Sequence, residues 1–340
     1  MSRAKEHGET VLQLAIAAQD IRVQALAMLK ETRNLSREGS DVLNKIMSTR
    51  QELYYLLALG DYGRAAVAGD QVVVLLHALG LDSSSFLYRG VITLLGEVCF
   101  ARTEYEAARK INEPLATSSQ NLKGSVSNVV GYALHNLALA DIYMGAYDVT
   151  GILENLGATR SIFVDTSDDY GIDQCNIARM ELHMIHGEYK NAKAISFATV
   201  ALPGKSGDIL ASCFERLGDI ACAEQDFTVA FRYYVVLLAV TQKYEDMRET
   251  TMALRHLGNI FLVQGDEDAA LDMWNGALEA FTWMDIHRGR AECMLRIEDV
   301  HVQRRDVVSA NGLWTSAREL FKRCSQANQI QACDKRLLGS

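Results

Sequence analysis

Three residues in the middle of the chain have types and spacing that chemistry can use. His183 and His186 lie three apart on one predicted helix, with Glu181 beside them. Two imidazoles at that spacing, next to a carboxylate, suit a divalent metal. The plainer reading, a surface or half-buried histidine pair, is preferred here. Asp168 and Asp169 are adjacent but sit in a polar join, where they read as solvated. The sequence contains no GxxxxGK[ST], no GxGxxG after a strand, no HExxH and no GxSxG. The seven cysteines are odd in number and scattered, with no CxxC. They read as buried, reduced thiols of an intracellular protein. No catalytic residue, metal or cofactor is therefore predicted, and an enzyme is not expected.

Composition narrows the class. The 340 residues are 49% hydrophobic and 23% charged, near globular averages, with two prolines. Plentiful Ala, Leu, Glu, Lys, Arg and Met with almost no proline predicts helix throughout. A net charge of −9 argues against nucleic acid as the main ligand, since phosphate binding needs a basic stripe. The first apolar run, from Val11 to Ala18, is too short to span a bilayer and ends at Gln19 and Asp20. Glu6 and Glu9 ahead of it do not suit a signal peptide. No membrane partner is expected, and the predicted location is the cytoplasm, with the nucleus as an alternative.

The elements that must position any site come from a recurring hexad. "GEYKNA" at Gly187 has counterparts in "GDYGRA" at Gly60, "TEYEAA" at Thr103 and "GAYDVT" at Gly145. "QDFTVA" at Gln225, "GDEDAA" at Gly265 and "RDVVSA" at Arg305 complete the set. The steps between them are 43, 42, 42, 38, 40 and 40 residues, a period that marks a solenoid of seven units. Each hexad follows an amphipathic run such as "TMALRHLGNIFLVQ". The leading glycine can end a helix in the left-handed conformation, and the acid after it suits the start of the next. The small residue at 65, 108, 150, 192, 230, 270 and 310 lets two helices approach closely. Gly96, Ala138, Gly218 and Gly258, twelve residues earlier, predict small meeting small across each helix pair. Trp274 and Trp314 align at the forty-residue step and read as core packing between units.

The order Leu257, Gly258, Phe261, Gly265, Asp266, Ala270, Trp274, Ala277 resembles the tetratricopeptide repeat. The resemblance is close for 251–290, good for 211–250 and partial elsewhere. The units exceed the usual length and are similar to the longer repeats of kinesin light chains, Pins-type adaptors and STAND/NLR-associated arrays. HEAT and armadillo repeats have a similar period but not this order of glycine, acid, aromatic and alanine. The predicted fold class is an all-α, right-handed α-solenoid of about seven helix pairs over residues 46–325. Capping helices are predicted within 1–45 (residues 8–34) and 326–340. Unit seven departs from the pattern at Glu298, where glycine is expected, and at Arg305.

The resemblance implies that the first helix of each unit lines a concave groove. The groove positions it implies are His135 and Asn136, then Glu215, Arg216 and Asp219. Arg255, His256 and Asn259 follow, then Leu295, Arg296 and Asp299. Arg216, Arg255 and Arg296 form a ladder of guanidinium forks that suits carboxylates, and Asn259 suits a peptide backbone. The set lacks the full lysine and asparagine pattern of a carboxylate clamp. The expected function is a protein–protein interaction scaffold that takes a partner peptide or helix, with an acidic or C-terminal segment as the expected ligand. The alternative is the ligand-sensing regulatory array of a STAND/NLR-type signalling or transcription-regulating system.

Overall fold

The computed structural model describes residues 42–82, 85–117, 125–145, 148–304 and 307–339. Among the described residues there are fifteen helices and no strand. They pair as α1 (Val42–Ala58) with α2 (Tyr62–Ala78), α3 (Phe86–Ala101) with α4 (Tyr105–Thr117) and α5 (Ser125–Met144) with α6 (Val149–Asp165). Then come α7 (Asp169–Ile185) with α8 (Tyr189–Val200), α9 (Gly207–Ala223) with α10 (Phe227–Lys243), and α11 (Met247–Val263) with α12 (Glu267–Met284). The last pair is α13 (His287–Gln303) with α14 (Val307–Arg323), followed by the single helix α15 (Ala327–Gly339). This is an all-α solenoid of seven helix pairs. The expected N-terminal capping helix, Tyr147, the turn at Arg305–Asp306 and the side chain of Ala310 lie outside the described residues.

Each of the six hexads whose opening residue is described is a helix–turn–helix device. The residue that opens it holds a positive φ, for instance 75° at Gly60 and 82° at Gly265. Thr103 and Gln225 take the same conformation without being glycine, at 64° and 62°. In three of them the next residue caps the following helix through its side chain. Asp61, Asp226 and Asp266 accept from the backbone N–H of Arg64, Val229 and Ala269 at 3.2, 3.0 and 3.0 Å. Such a cap satisfies an otherwise orphaned donor and places negative charge at the positive end of the helix dipole. The joins between units use a similar turn that the hexads do not announce. Ser167, Glu245, Asp285 and Ser325 all have positive φ, and the last three are spaced at the forty-residue step.

The pairing inside a unit differs from small-on-small. A Cβ added to Gly218 would lie 2.3 Å from Tyr234 Cε1, and one on Gly258 would lie 2.6 Å from Trp274 Nε1. At Gly96 the nearest atom is Asn112 Nδ2, also at 2.6 Å. The glycine therefore opens a slot for the side chain one turn beyond the alanine, not for the alanine itself. Trp274, fully buried, packs with Ala270, Ile297 and Val300, which joins unit six to unit seven. The core is a string of such clusters passed from unit to unit, as a one-dimensional stack requires.

The superhelix also meets itself. The turns of units one to three touch the joins around units six and seven. Tyr62 packs with Leu254, Met273 and Met284. Arg102 Nη2 lies 2.9 Å from Asp285 Oδ2, and His287 Nε2 lies 3.0 Å from Glu104 Oε1. Gln326 Nε2 donates to the carbonyl oxygen of Tyr143 at 3.0 Å.

Candidate functional site

The first helices of units four to seven, α7, α9, α11 and α13, carry a continuous ionic network. Glu181 comes from α7, Glu215, Arg216 and Asp219 from α9, Arg255 and His256 from α11, and Glu292 from α13. Helical spacing explains the set on α9, since Glu215, Arg216 and Asp219 fall within one turn of one face. Arg216 is the hub. Its Nε lies 2.5 Å from Glu181 Oε1, its Nη2 3.1 Å from Glu215 Oε2 and its Nη1 2.6 Å from Asp219 Oδ2. Arg255 reaches Glu292 through Nη1 and lies 3.9 Å from Glu215 Oε1 through Nη2. His256 stands between Glu215 Oε1 at 2.9 Å and Asp219 Oδ1 at 3.4 Å. Its ring stacks on Tyr234 at 4.6 Å, and the Tyr234 hydroxyl donates to Asp219 at 2.8 Å.

The electrostatics follow from this geometry. Burial opposes ionisation of Glu215, yet Arg216, His256 and Arg255 together hold its carboxyl far below the usual carboxylate range. Burial pushes Glu181 the other way, aided by Glu215 and Asp219 and opposed by Arg216. Glu249, on the same inner helix as Arg255, is pushed up to about 7 by burial, with Glu215 adding to the effect against Arg248. One guanidinium thus serves three carboxylates, and the network, with four carboxylates to two guanidinium groups, is acid-rich.

The network bears on metal binding. Glu215, Asp219 and His256 each offer a ligand atom within 4.8 Å of one another. Arg216 bonds two of these three groups, and Arg255 Nη2 lies 2.8 Å from His256 Nε2. Two guanidinium groups already occupy the place and charge a cation would take, so the donor set does not fit a metal. The histidine pair does not converge with Glu181 either. His183 Nδ1 bonds Glu188 Oε2 at 2.6 Å, while Glu181 turns to Arg216.

The structure brings Glu215, Arg216, Asp219, Arg255 and His256 together and leaves the other expected residues outside this network. His135 and Asn136 are buried between helices. His135 Nε2 is 3.1 Å from the Gln174 carbonyl oxygen, and Asn136 donates to Asn112 at 3.5 Å. Burial lowers the His135 pKa. Arg296 is half exposed and meets Asp299 only at 4.0 Å. Arg216 and Arg255 are not free forks, and the physical basis for a three-rung ladder reduces to Arg296. Asn259 has a buried side-chain oxygen with no hydrogen-bond partner. Glu181 and Glu292 are the network members that sequence reasoning did not place on this face. They stand on neighbouring units, and only the stacking register shows which carboxylate each arginine meets.

The fold matches solved structures. NprR in complex with its cognate peptide NprX is similar over 97% of each chain, with 12% identity and a TM-score of 0.62. The apo form of the quorum sensor NprR from B. thuringiensis is similar over 98% of each chain, with 11% identity and a TM-score of 0.52. A chain of the Saccharomyces cerevisiae separase–securin complex matches 96% of this chain and 22% of its own length, at 12% identity and a TM-score of 0.54. No protein-family profile matches the sequence, and no curated protein matches it. The repeat geometry and these likenesses make the fold tetratricopeptide-like. No helix among the described residues is long and apolar enough to cross a membrane.

Proposed function

We propose that this chain is a protein-interaction scaffold that takes a peptide or a helix on the inner face of units four to seven. The observation that carries the reading is the ionic network running across four successive inner helices. Ion pairs held in such low exposure are costly to desolvate and add little to stability relative to apolar packing. Their presence along one continuous face is better explained by polar recognition than by folding. Asn259, half-buried on the same helix as Arg255 and His256, offers its side-chain amide to the backbone of an extended ligand. Arg296, half exposed and weakly held, is the place for a ligand carboxylate, so a C-terminal or acidic end would lie toward unit seven. The fold-level likeness to NprR, which is described in complex with a peptide, agrees with this reading without assigning the ligand.

Selection from a random peptide library tests it. Enriched peptides should bind wild type, lose affinity on Asn259→Ala and Arg296→Ala, and ignore Arg304→Ala, which pairs with Glu267 and Asp268 at the far turn. Failure to enrich any peptide, or binding indifferent to the inner-face changes, would sink the proposal. A second reading, a ligand-sensing regulatory array, is favoured by the contact between the two ends of the superhelix. There the ligand acts by changing curvature.

A further inference from the structure

The aromatic residue after the turn acid occupies the same repeat position in units one, two, four and five, but not the same surroundings. Tyr62 and Tyr105 are 8% and 4% exposed, whereas Tyr189 and Phe227 are only half-buried. The cover over the first two includes residues of distant units. Tyr62 shares an apolar cluster with Leu254, Met273 and Met284, and the Arg288 guanidinium stands near the Tyr105 hydroxyl. The opposite edge shows the same contrast. Tyr244, Met284 and Cys324 are equivalent at the forty-residue step, yet they are 45%, 0% and 0% exposed.

The second turn is the centre of this contact. Thr103 is β-branched and holds a φ of 64°, where Gly60, Gly145, Gly187 and Gly265 sit in other units. A β-branched residue in that region is strained, and it persists only where its surroundings hold it. Here the Thr103 hydroxyl accepts from the Arg288 backbone N–H at 3.0 Å and lies 3.3 Å from Cys324 Sγ. Around it, Arg102 bridges Asp285 at 2.9 Å and Glu104 at 3.3 Å. His287, fully buried, lies between Glu104 at 3.0 Å and Asp285 at 3.5 Å.

We propose that these contacts form a latch. It is a separable interface between units one to three and units six and seven that closes the superhelix, and its release opens the inner face without unfolding either part. The inference stands on the contacts themselves and not on the binding reading. The physical reason is composition. Beside one apolar cluster around Tyr62, the latch is made of ion pairs and hydrogen bonds, whereas neighbouring units are joined by successive apolar clusters. Local opening therefore lies well below global unfolding.

Cys324 is a native reporter, since it is fully buried beside Thr103. The full chain is labelled with a maleimide under native conditions, and the modified cysteines are identified by mass. Arg102→Glu sets a carboxylate beside Asp285 and Glu104. It should speed labelling of Cys324 by about tenfold or more, while Cys175 and Cys213 keep wild-type rates. In Thr103→Cys, oxidation should join the introduced thiol to Cys324. Combined with Arg102→Glu, it should abolish that labelling until a reductant is added. The latch is overturned if Cys324 labels no faster in Arg102→Glu, or if Cys175 and Cys213 accelerate with it, since opening would then be global unfolding. Absence of the Thr103→Cys disulfide would equally overturn it.

Discussion

Gly258→Ala is a one-carbon change whose cost can be worked from the packing. The new methyl would sit 2.6 Å from Trp274 Nε1 and 2.8 Å from its Cδ1. Ordinary carbon contacts lie at about 3.5–4.0 Å, so the indole must retreat by roughly 1 Å. It has nowhere to go, because Trp274 is fully buried among Ala270, Ile297 and Val300. Retreat also breaks the bond from Trp274 Nε1 to the Arg255 carbonyl oxygen, now 3.2 Å. Overpacking costs about 1–3 kcal/mol, and stranding a buried N–H costs about 1–3 kcal/mol more. Against this, alanine gains about 1 kcal/mol over glycine in a helix interior. The net expectation is destabilisation of about 3 kcal/mol. Gly276→Ala is the matched control. It lies on α12 with nothing within 4 Å of an added Cβ, and it should stabilise by up to about 1 kcal/mol. Urea unfolding followed by circular dichroism reads both. If Gly258→Ala shifts the midpoint upward as Gly276→Ala does, Trp274 does not fill that slot and the repeat register is wrong.

Three further outcomes are expected. Ala270→Leu, at a fully buried position, should overpack units six and seven and cost about 1–3 kcal/mol, read by the same urea assay. Arg216→Met removes the hub and leaves Glu181, Glu215 and Asp219 facing one another. It should cost about 3–5 kcal/mol at neutral pH and recover part of that on acidification, as thermal melts against pH would show. Glu298 is fully buried, neither carboxyl oxygen has a partner, and burial pushes its pKa up to about 8. The unfolded carboxyl ionises near 4.3, so a raised folded value means that stability is full below about pH 4 and falls as pH rises toward 8. Glu298→Gln should therefore match wild type near pH 4 and exceed it progressively up to pH 8. Equal stability at pH 8 would contradict the burial of an unpaired acid.

The repeat was legible because each hexad carries its own local physics. Gly265 turns the chain, Asp266 caps the next helix, and both act within six residues of sequence. The forty-residue register then placed Trp274 correctly in the core. The partners of the arginines were not legible, because they depend on which helix faces which. Arg216 looked like a free fork when read along α9, yet Glu181, one unit earlier, neutralises it. The partners of His135 and Asn136 were hidden for a related reason. Those partners are Gln174 on α7 and Asn112 on α4, and the repeat pattern along unit three does not specify them. The contact of Arg102 with Asp285 spans over four units, and no local signal announces it. Its one trace in the sequence is Thr103 standing where glycine stands in four other units.

The central claim is that ligand recognition belongs to the inner helices of units four to seven. Hydrogen exchange with and without a library-selected peptide tests it directly. Protection should appear along α7, α9, α11 and α13, with little change along α8, α10 and α12. Protection confined to α8, α10 and α12 would contradict the account.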